Sequence, residues 1–222
     1  MKILITRPEP GASITAARLA SMGYEPILAP CLTITFTATH LPDAPAAIII
    51  TSSQAIPALP DHYRHIMVFC VGDATANRLR AAGFTSVLSA SGDAKDLQKL
   101  IAERRLPGTH LLAVGERHGM MLAWQLRAAG FKIIRRTVYR AAYARSLPQA
   151  ARHLLESGEI ATALFYSAES ARAFIKLKPP GTARITALAL SPAVAAALDG
   201  LPWMKIRVAL APTEADLLAY LT

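Results

Sequence analysis

Short apolar runs alternate with helix-like segments along the whole chain. The runs fall near residues 2–6, 25–29, 46–51, 67–71, 86–88, 110–114, 132–134, 161–166, 185–190 and 206–210. They are nearly continuous in Ile, Val, Leu and Ala rather than alternating in polarity. That pattern belongs to strands covered on both faces, as in parallel sheets. Strand alternating with helix predicts an α/β architecture. Three helix ends share one form: Leu19 to Gly23-Tyr24, Leu79 to Gly83-Phe84, and Leu126 to Gly130-Phe131. Each places Gly where a left-handed residue ends the helix, followed by an aromatic that can pack back on the last turn. Thr33-Ile34-Thr35-Phe36-Thr37 and Arg136-Thr137-Val138-Tyr139-Arg140 are extended stretches. They read either as edge strands or as a two-stranded bridge between domains.

The chain also repeats itself. Lys2–Thr6 matches His110–Val114, Ala47–Ser53 matches Thr162–Ala168, Val68–Gly72 matches Ala187–Ser191, and Lys95-Asp96-Leu97 matches Ala215-Asp216-Leu217. The matched blocks keep their order at a spacing near half the chain. This period is far longer than a solenoid unit. It predicts two similar α/β domains with a cleft between them, where small ligands commonly bind.

Composition narrows the partners. With 222 residues and 53% hydrophobic content, the chain can build one large or two small cores. No apolar segment is long enough to span a bilayer. No apolar leader or cleavage site follows Met1, so a cytoplasmic location is expected. Cys31 and Cys70 stand alone in apolar stretches and read as buried thiols. The net charge of +9 favours anionic partners. It comes without a long basic run or aromatic interleaving, so no nucleic-acid partner is expected.

Candidate chemistry sits in the loops that leave the strands, where ligands meet parallel sheets. These loops are Thr6-Arg7-Pro8, Thr51-Ser52-Ser53, Gly72 to Thr75, Gly115-Glu116-Arg117, Ser167 to Ser170, and Ser191-Pro192-Ala193. They are small and hydroxylic, and each opens a helix. Such an array suits carboxylates or phosphates. The same residues are also ordinary helix caps. The phosphate-loop, dinucleotide and nucleophile-elbow motifs are missing from the sequence. His62 and His65 have helical spacing without further ligands and read as a surface pair.

Ile5-Thr6-Arg7-Pro8, Ile50-Thr51-Ser52, Val71-Gly72 with Thr75-Ala76 and Leu79, Gly115-Glu116, Val138-Tyr139-Arg140 and Phe165-Tyr166-Ser167 together resemble the uroporphyrinogen-III synthase family. The resemblance runs the length of the chain in order. It implies two similar domains with parallel sheets flanked by helices, joined by a two-stranded linker, with the active-site cleft between them. Domain 1 would hold residues 1–35 and 141–222, and domain 2 residues 36–140. The implied reaction closes hydroxymethylbilane to uroporphyrinogen III, with ring D inverted and water lost. The alternative is a non-catalytic module of the same fold that binds a tetrapyrrole or another anion. Tyr139 matches the family's tyrosine and would assist loss of the substrate hydroxyl; its plain alternative is a packing aromatic. Arg7, Thr51, Ser52, Ser53, Gly72, Thr75, Gly115, Ser167, Ala168 and Ser191 would bind substrate. The family's second Gly-xx-Thr loop is replaced by Ser191-Pro192-Ala193-Val194. No metal or organic cofactor is implied. A monomer acting on a small molecule is expected, without nucleic acid or membrane.

Overall fold

The computed structural model describes residues 1–221. In chain order the first elements are β1 (Lys2–Ile5), α1 (Gly11–Ser21), β2 (Glu25–Leu28), β3 (Leu32–Phe36), β4 (Ala47–Ile50) and β5 (Met67–Cys70). There follow α2 (Asp73–Ala81), β6 (Val87–Ser89), α3 (Ala94–Arg104), β7 (Thr109–Gly115), α4 (Met120–Ala128) and β8 (Lys132–Tyr143). The last are α5 (Gln149–Glu156), β9 (Ile160–Phe165), α6 (Ala168–Lys176), β10 (Thr186–Ala189), α7 (Pro192–Ala196), β11 (Lys205–Val208) and α8 (Glu214–Leu218). Every apolar run of the sequence holds a strand. The two extended stretches are β3 and the second half of β8.

The chain divides into two compact units. Unit 1 is Met1–Ile34 with the chain from Ala142 onward; unit 2 is Thr35–Ala141. Unit 1 holds a five-stranded sheet in the order β11-β10-β9-β1-β2, and all its pairings are parallel. The second sheet has the order β3-β8-β7-β4-β5-β6, parallel from β8 to β6. The internal repeat maps onto these orders. Its blocks match β1 with β7, β9 with β4, and β10 with β5, so matched strands hold equivalent places in their own sheets. Each unit therefore takes one piece from each half of the repeat.

Two-sided burial explains the continuous apolar runs. All four residues of β4 are fully buried. In unit 1, Leu4, Ala163 and Phe165 enter one core, while Ile3, Ile5 and Leu164 enter the core on the other face. Full burial of each such Ile or Leu contributes about 1.5–3 kcal/mol. Cys31 and Cys70 are free and buried, and burial pushes their thiols up to about 12 and about 11.

The helix ends have the predicted geometry. Gly23, Gly83 and Gly130 have φ of 83°, 89° and 90°. The amides of Tyr24, Phe84 and Phe131 donate to Leu19, Leu79 and Leu126, closing the wide hydrogen bond of a Schellman motif. A fourth copy closes α5, where Gly158 has φ 77° and Glu159 donates to the Leu154 carbonyl. Glu159 replaces the aromatic, which hid this copy in the sequence.

Gly181 is a harder constraint than these. Its φ is +71°, and an added Cβ would run into the backbone carbonyl oxygen of Leu155. Gly130 has a similar φ, but among the described residues nothing lies within 4 Å of an added Cβ. Gly130→Ala is therefore expected to cost about 1–2 kcal/mol. Gly181→Ala should exceed the 1–3 kcal/mol, roughly, of left-handed strain alone. Paired thermal melts check this; equal shifts for the two variants would remove the carbonyl clash from the explanation.

His110 is 1% exposed on β7, and among the described residues neither buried ring nitrogen has a hydrogen-bond partner of good geometry. Its ring meets Phe131 edge-on, with centroids 5.5 Å apart. Burial lowers its pKa below the ordinary value, opposed by the nearby Gly108 carbonyl. The unfolded chain thus binds a proton that the folded one resists. Stability is whole above the unfolded pKa of about 6.5 and falls as pH drops from there through the folded pKa. The slope contributed by this one site reaches at most about 1.4 kcal/mol per pH unit. His110→Phe should flatten the decline seen in denaturant midpoints between pH 7 and 5. An unchanged pH profile would exclude His110 as its source.

Candidate functional site

Ligand crevices in open parallel sheets form where the strand order reverses, beyond the carboxyl ends of the strands. In unit 1 the chain runs outward from β1 to β2 and, in the other direction, from β9 to β10 to β11. The reversal lies between β1 and β9. In unit 2 it lies between β4 and β7. Most of the proposed site residues leave these four strands.

In unit 2, β7 ends at Gly115. A shift in the β7–β8 register after Val114 pairs Gly115 with Tyr139. The Glu116 amide donates to the Tyr139 carbonyl at 3.0 Å. The Tyr139 ring covers Gly115 so closely that a Cβ there would lie 2.8 Å from two ring carbons and 3.0 Å from the hydroxyl oxygen. Tyr139 is 5% exposed. Burial raises its phenol pKa, and a hydrogen bond with Ser52 opposes the rise. The phenol is therefore protonated at neutral pH and able to donate.

The surrounding loops are tied down. Arg135 donates to the carbonyls of His118 and Glu116, both at 2.9 Å, and so braces the loop after β7. Ser52 Oγ accepts from the Gln54 amide at 3.3 Å, capping the 3-10 turn Ser53–Ala58. Arg78 Nη1 donates to Ser53 Oγ at 2.8 Å. Thr51 is half-buried in the same loop. One strand outward, Gly72 caps α2 and its carbonyl accepts the Thr75 amide at 3.0 Å. Tyr139, Ser52 and Gly115 thus meet directly. Thr51 and Ser53 flank them, and Gly72 and Thr75 stand at the neighbouring strand end.

In unit 1, Arg7 follows β1. Its Nη1 donates to Thr15 Oγ1 at 3.1 Å and to Glu214 Oε1 at 3.2 Å. Its guanidinium carbon lies 4.0 Å from the centre of the Tyr166 ring. Tyr166 OH donates to Glu214 Oε1 at 2.6 Å. Burial alone would raise the Glu214 pKa; hydrogen bonds from Tyr166 and Thr15 and the charges of Arg7 and Arg18 outweigh it and hold the group ionised. Ser167 Oγ accepts the Ser170 amide at 3.1 Å and caps α6, whose first residue is Ala168. Arg7, Ser167 and Ala168 thus leave the two central strands. Ser191 leaves β10 and begins α7 without a side-chain cap bond.

A family model described as uroporphyrinogen-III synthase HemD matches residues 13–219. The chain belongs to the uroporphyrinogen-III synthase family. These enzymes are cyclising lyases of heme biosynthesis. A crystal structure of uroporphyrinogen-III synthetase from Helicobacter pylori has a TM-score of 0.66 at 16% identity, covering 99% of this chain and 97% of that one. A mutant uroporphyrinogen III synthase from Thermus thermophilus has a TM-score of 0.55 at 17% identity, with coverage of 99% and 97%. At these identities the likeness speaks for the fold, parallel sheets flanked by helices. No curated protein matches the sequence. Among the described residues, no helix is long and apolar enough to cross a membrane.

In the cluster around Arg7, sequence reasoning overlooked Glu214, Thr15 and the Tyr166 hydroxyl. Glu214 lies 207 positions from Arg7, and no local pattern signals that pairing. The repeated Asp96 and Asp216, by contrast, proved structural. Each sits three residues after an N-cap, Asp93 or Thr213, whose side chain accepts its amide.

Proposed function

We propose that this protein closes hydroxymethylbilane to uroporphyrinogen III and that Tyr139 assists loss of the substrate hydroxyl. The protonated Tyr139 phenol beside Ser52 and Gly115, at a strand-order reversal, carries the assignment of that role. The phenol gives its proton to the departing oxygen, which leaves as water and yields a stabilised azafulvenium cation; the proton released at the last step returns to the phenolate. Attack by the substituted carbon of ring D forms a spiro intermediate. That intermediate fragments and recloses with the ring inverted, and a proton is lost to restore the pyrrole.

The substrate carries carboxylate arms on every pyrrole. The loops of Arg7, Ser167, Ala168 and Ser191 in one unit, and of Thr51, Ser52, Ser53, Gly72, Thr75 and Gly115 in the other, would receive them. The amides at helix starts and the net charge of +9 support this reading. Holding a flexible chain in the conformation that favours the inverted closure is the protein's principal contribution. In this reading the two units are the two domains, with β3 and β8 as their linker, and a monomer suffices. Two unpaired cysteines suit the reducing cytoplasm. The test is a coupled assay with freshly made hydroxymethylbilane that resolves type I from type III product. Type I product alone, at the rate without protein, would sink the proposal.

A further inference from the structure

Two guanidiniums in unit 1 converge on one carboxylate. Arg7 and Arg18 lie 3.2 and 3.4 Å from the two oxygens of Glu214. The other groups bonded to Glu214, Thr15 Oγ1 at 2.7 Å and Tyr166 OH at 2.6 Å, are neutral hydroxyls. The cluster therefore keeps one uncompensated positive charge, and it stands where β1 and β9 end.

The Arg7 guanidinium is fixed on one edge and one face. Its Nη1 is bonded to Glu214 and Thr15, and Tyr166 stacks against it. Its side chain is only 11% exposed. The opposite edge, Nε with Nη2, makes no hydrogen bond among the described residues. A Cβ on Gly11 would lie 2.5 Å from Nε and 2.8 Å from both Cζ and Nη2, so any larger residue there would crowd that edge. An Nε–Nη2 edge is a fork that takes a carboxylate through two parallel hydrogen bonds.

We propose that Glu214 is a positioning residue: acting through Arg7, it aims the unpaired Nε–Nη2 edge at a carboxylate arm of the substrate. The proposal rests on the function argued above. Thr15 and Tyr166 complete the support, since each fixes the Glu214 oxygen that holds Arg7. Without the carboxylate, the guanidinium loses its anchor and turns among several positions.

Steady-state kinetics of Glu214→Gln, Arg7→Met and the double variant test this. Gln keeps the volume of Glu214 and removes its charge. KM should rise about tenfold in Glu214→Gln, with kcat held within about twofold. Adding Glu214→Gln to Arg7→Met should raise KM no further, because the residue acts through Arg7. A merely structural role would lower the melting temperature and leave KM alone. Unchanged KM in the folded Glu214→Gln protein, or an effect that adds in full to Arg7→Met, overturns the proposal. If Glu214→Gln fails to fold, Tyr166→Phe decides by the same cycle. It keeps the ring beneath Arg7, removes one donor to Glu214, and should raise KM about threefold. If wild-type protein turns over no hydroxymethylbilane, the function reading fails by itself. The same cycle, read as the Kd of uroporphyrin III by fluorescence quenching, then supports or overturns the role of Glu214.

Discussion

The Tyr139→Phe protein is expected to fold normally and to form uroporphyrinogen III about 10²–10⁴-fold more slowly than wild type, the usual range for a lost general acid. Phe keeps the ring that covers Gly115, so the packing of β7 and β8 survives. Only the hydroxyl beside Ser52 is removed. The loss should fall on kcat, because the departing oxygen gains charge only as its bond to carbon breaks. Burial adds a pH signature. The phenol pKa is raised, so wild-type turnover should not lose this donor until pH exceeds about 10. If the ring only packs the end of β8, Phe will match wild type, and Tyr139→Ala will instead lower the melting temperature. Full type III activity in a folded Tyr139→Phe protein would remove the proposed chemical role and leave the family membership intact.

The central strands were legible because their burial is two-sided. A run such as Ala47–Ile50, buried at every position, can only be covered on both faces, and its apolar continuity says so. The helix stops were legible because the left-handed position selects Gly and leaves a local mark. Gly158 escaped because the residue after it is Glu159, and a Schellman bond needs only the amide of that residue, not an aromatic ring. The loops that leave strand ends were visible for the same local reasons. What the loops hold was not. Gly115 meets Tyr139 because the β7–β8 register shifts by one residue at that point, a property of pairing rather than of composition. Arg7 meets Glu214 because β1 and α8 belong to one unit despite their distance along the chain. The repeat pointed to equivalent strands, and the matching sheet orders give that equivalence physical meaning. It could not say which side chains would meet Tyr139 at the end of β7 or Arg7 at the end of β1.

Gly115→Ala should reduce turnover about 10²-fold, the size of loss that a misplacement of about 1 Å can bring. The backbone at Gly115 does not lie in the left-handed region, so Ala meets no conformational penalty there. The effect is therefore steric and local. The new methyl group would sit 2.8 Å from two carbons of the Tyr139 ring. That ring is flat and nearly buried, and it cannot fold away as a flexible chain end can. It must slide or tilt, and its hydroxyl moves with it, away from Ser52. Crowding of this kind costs about 1–3 kcal/mol of stability, which thermal melts would register alongside the kinetics. The source of the rate loss is separable. In the Tyr139→Phe background there is no hydroxyl left to misplace, so Gly115→Ala should lower turnover little further. An undiminished loss in that background would mean that Gly115 acts on something other than Tyr139, such as the path of the loop after β7 that Arg135 braces.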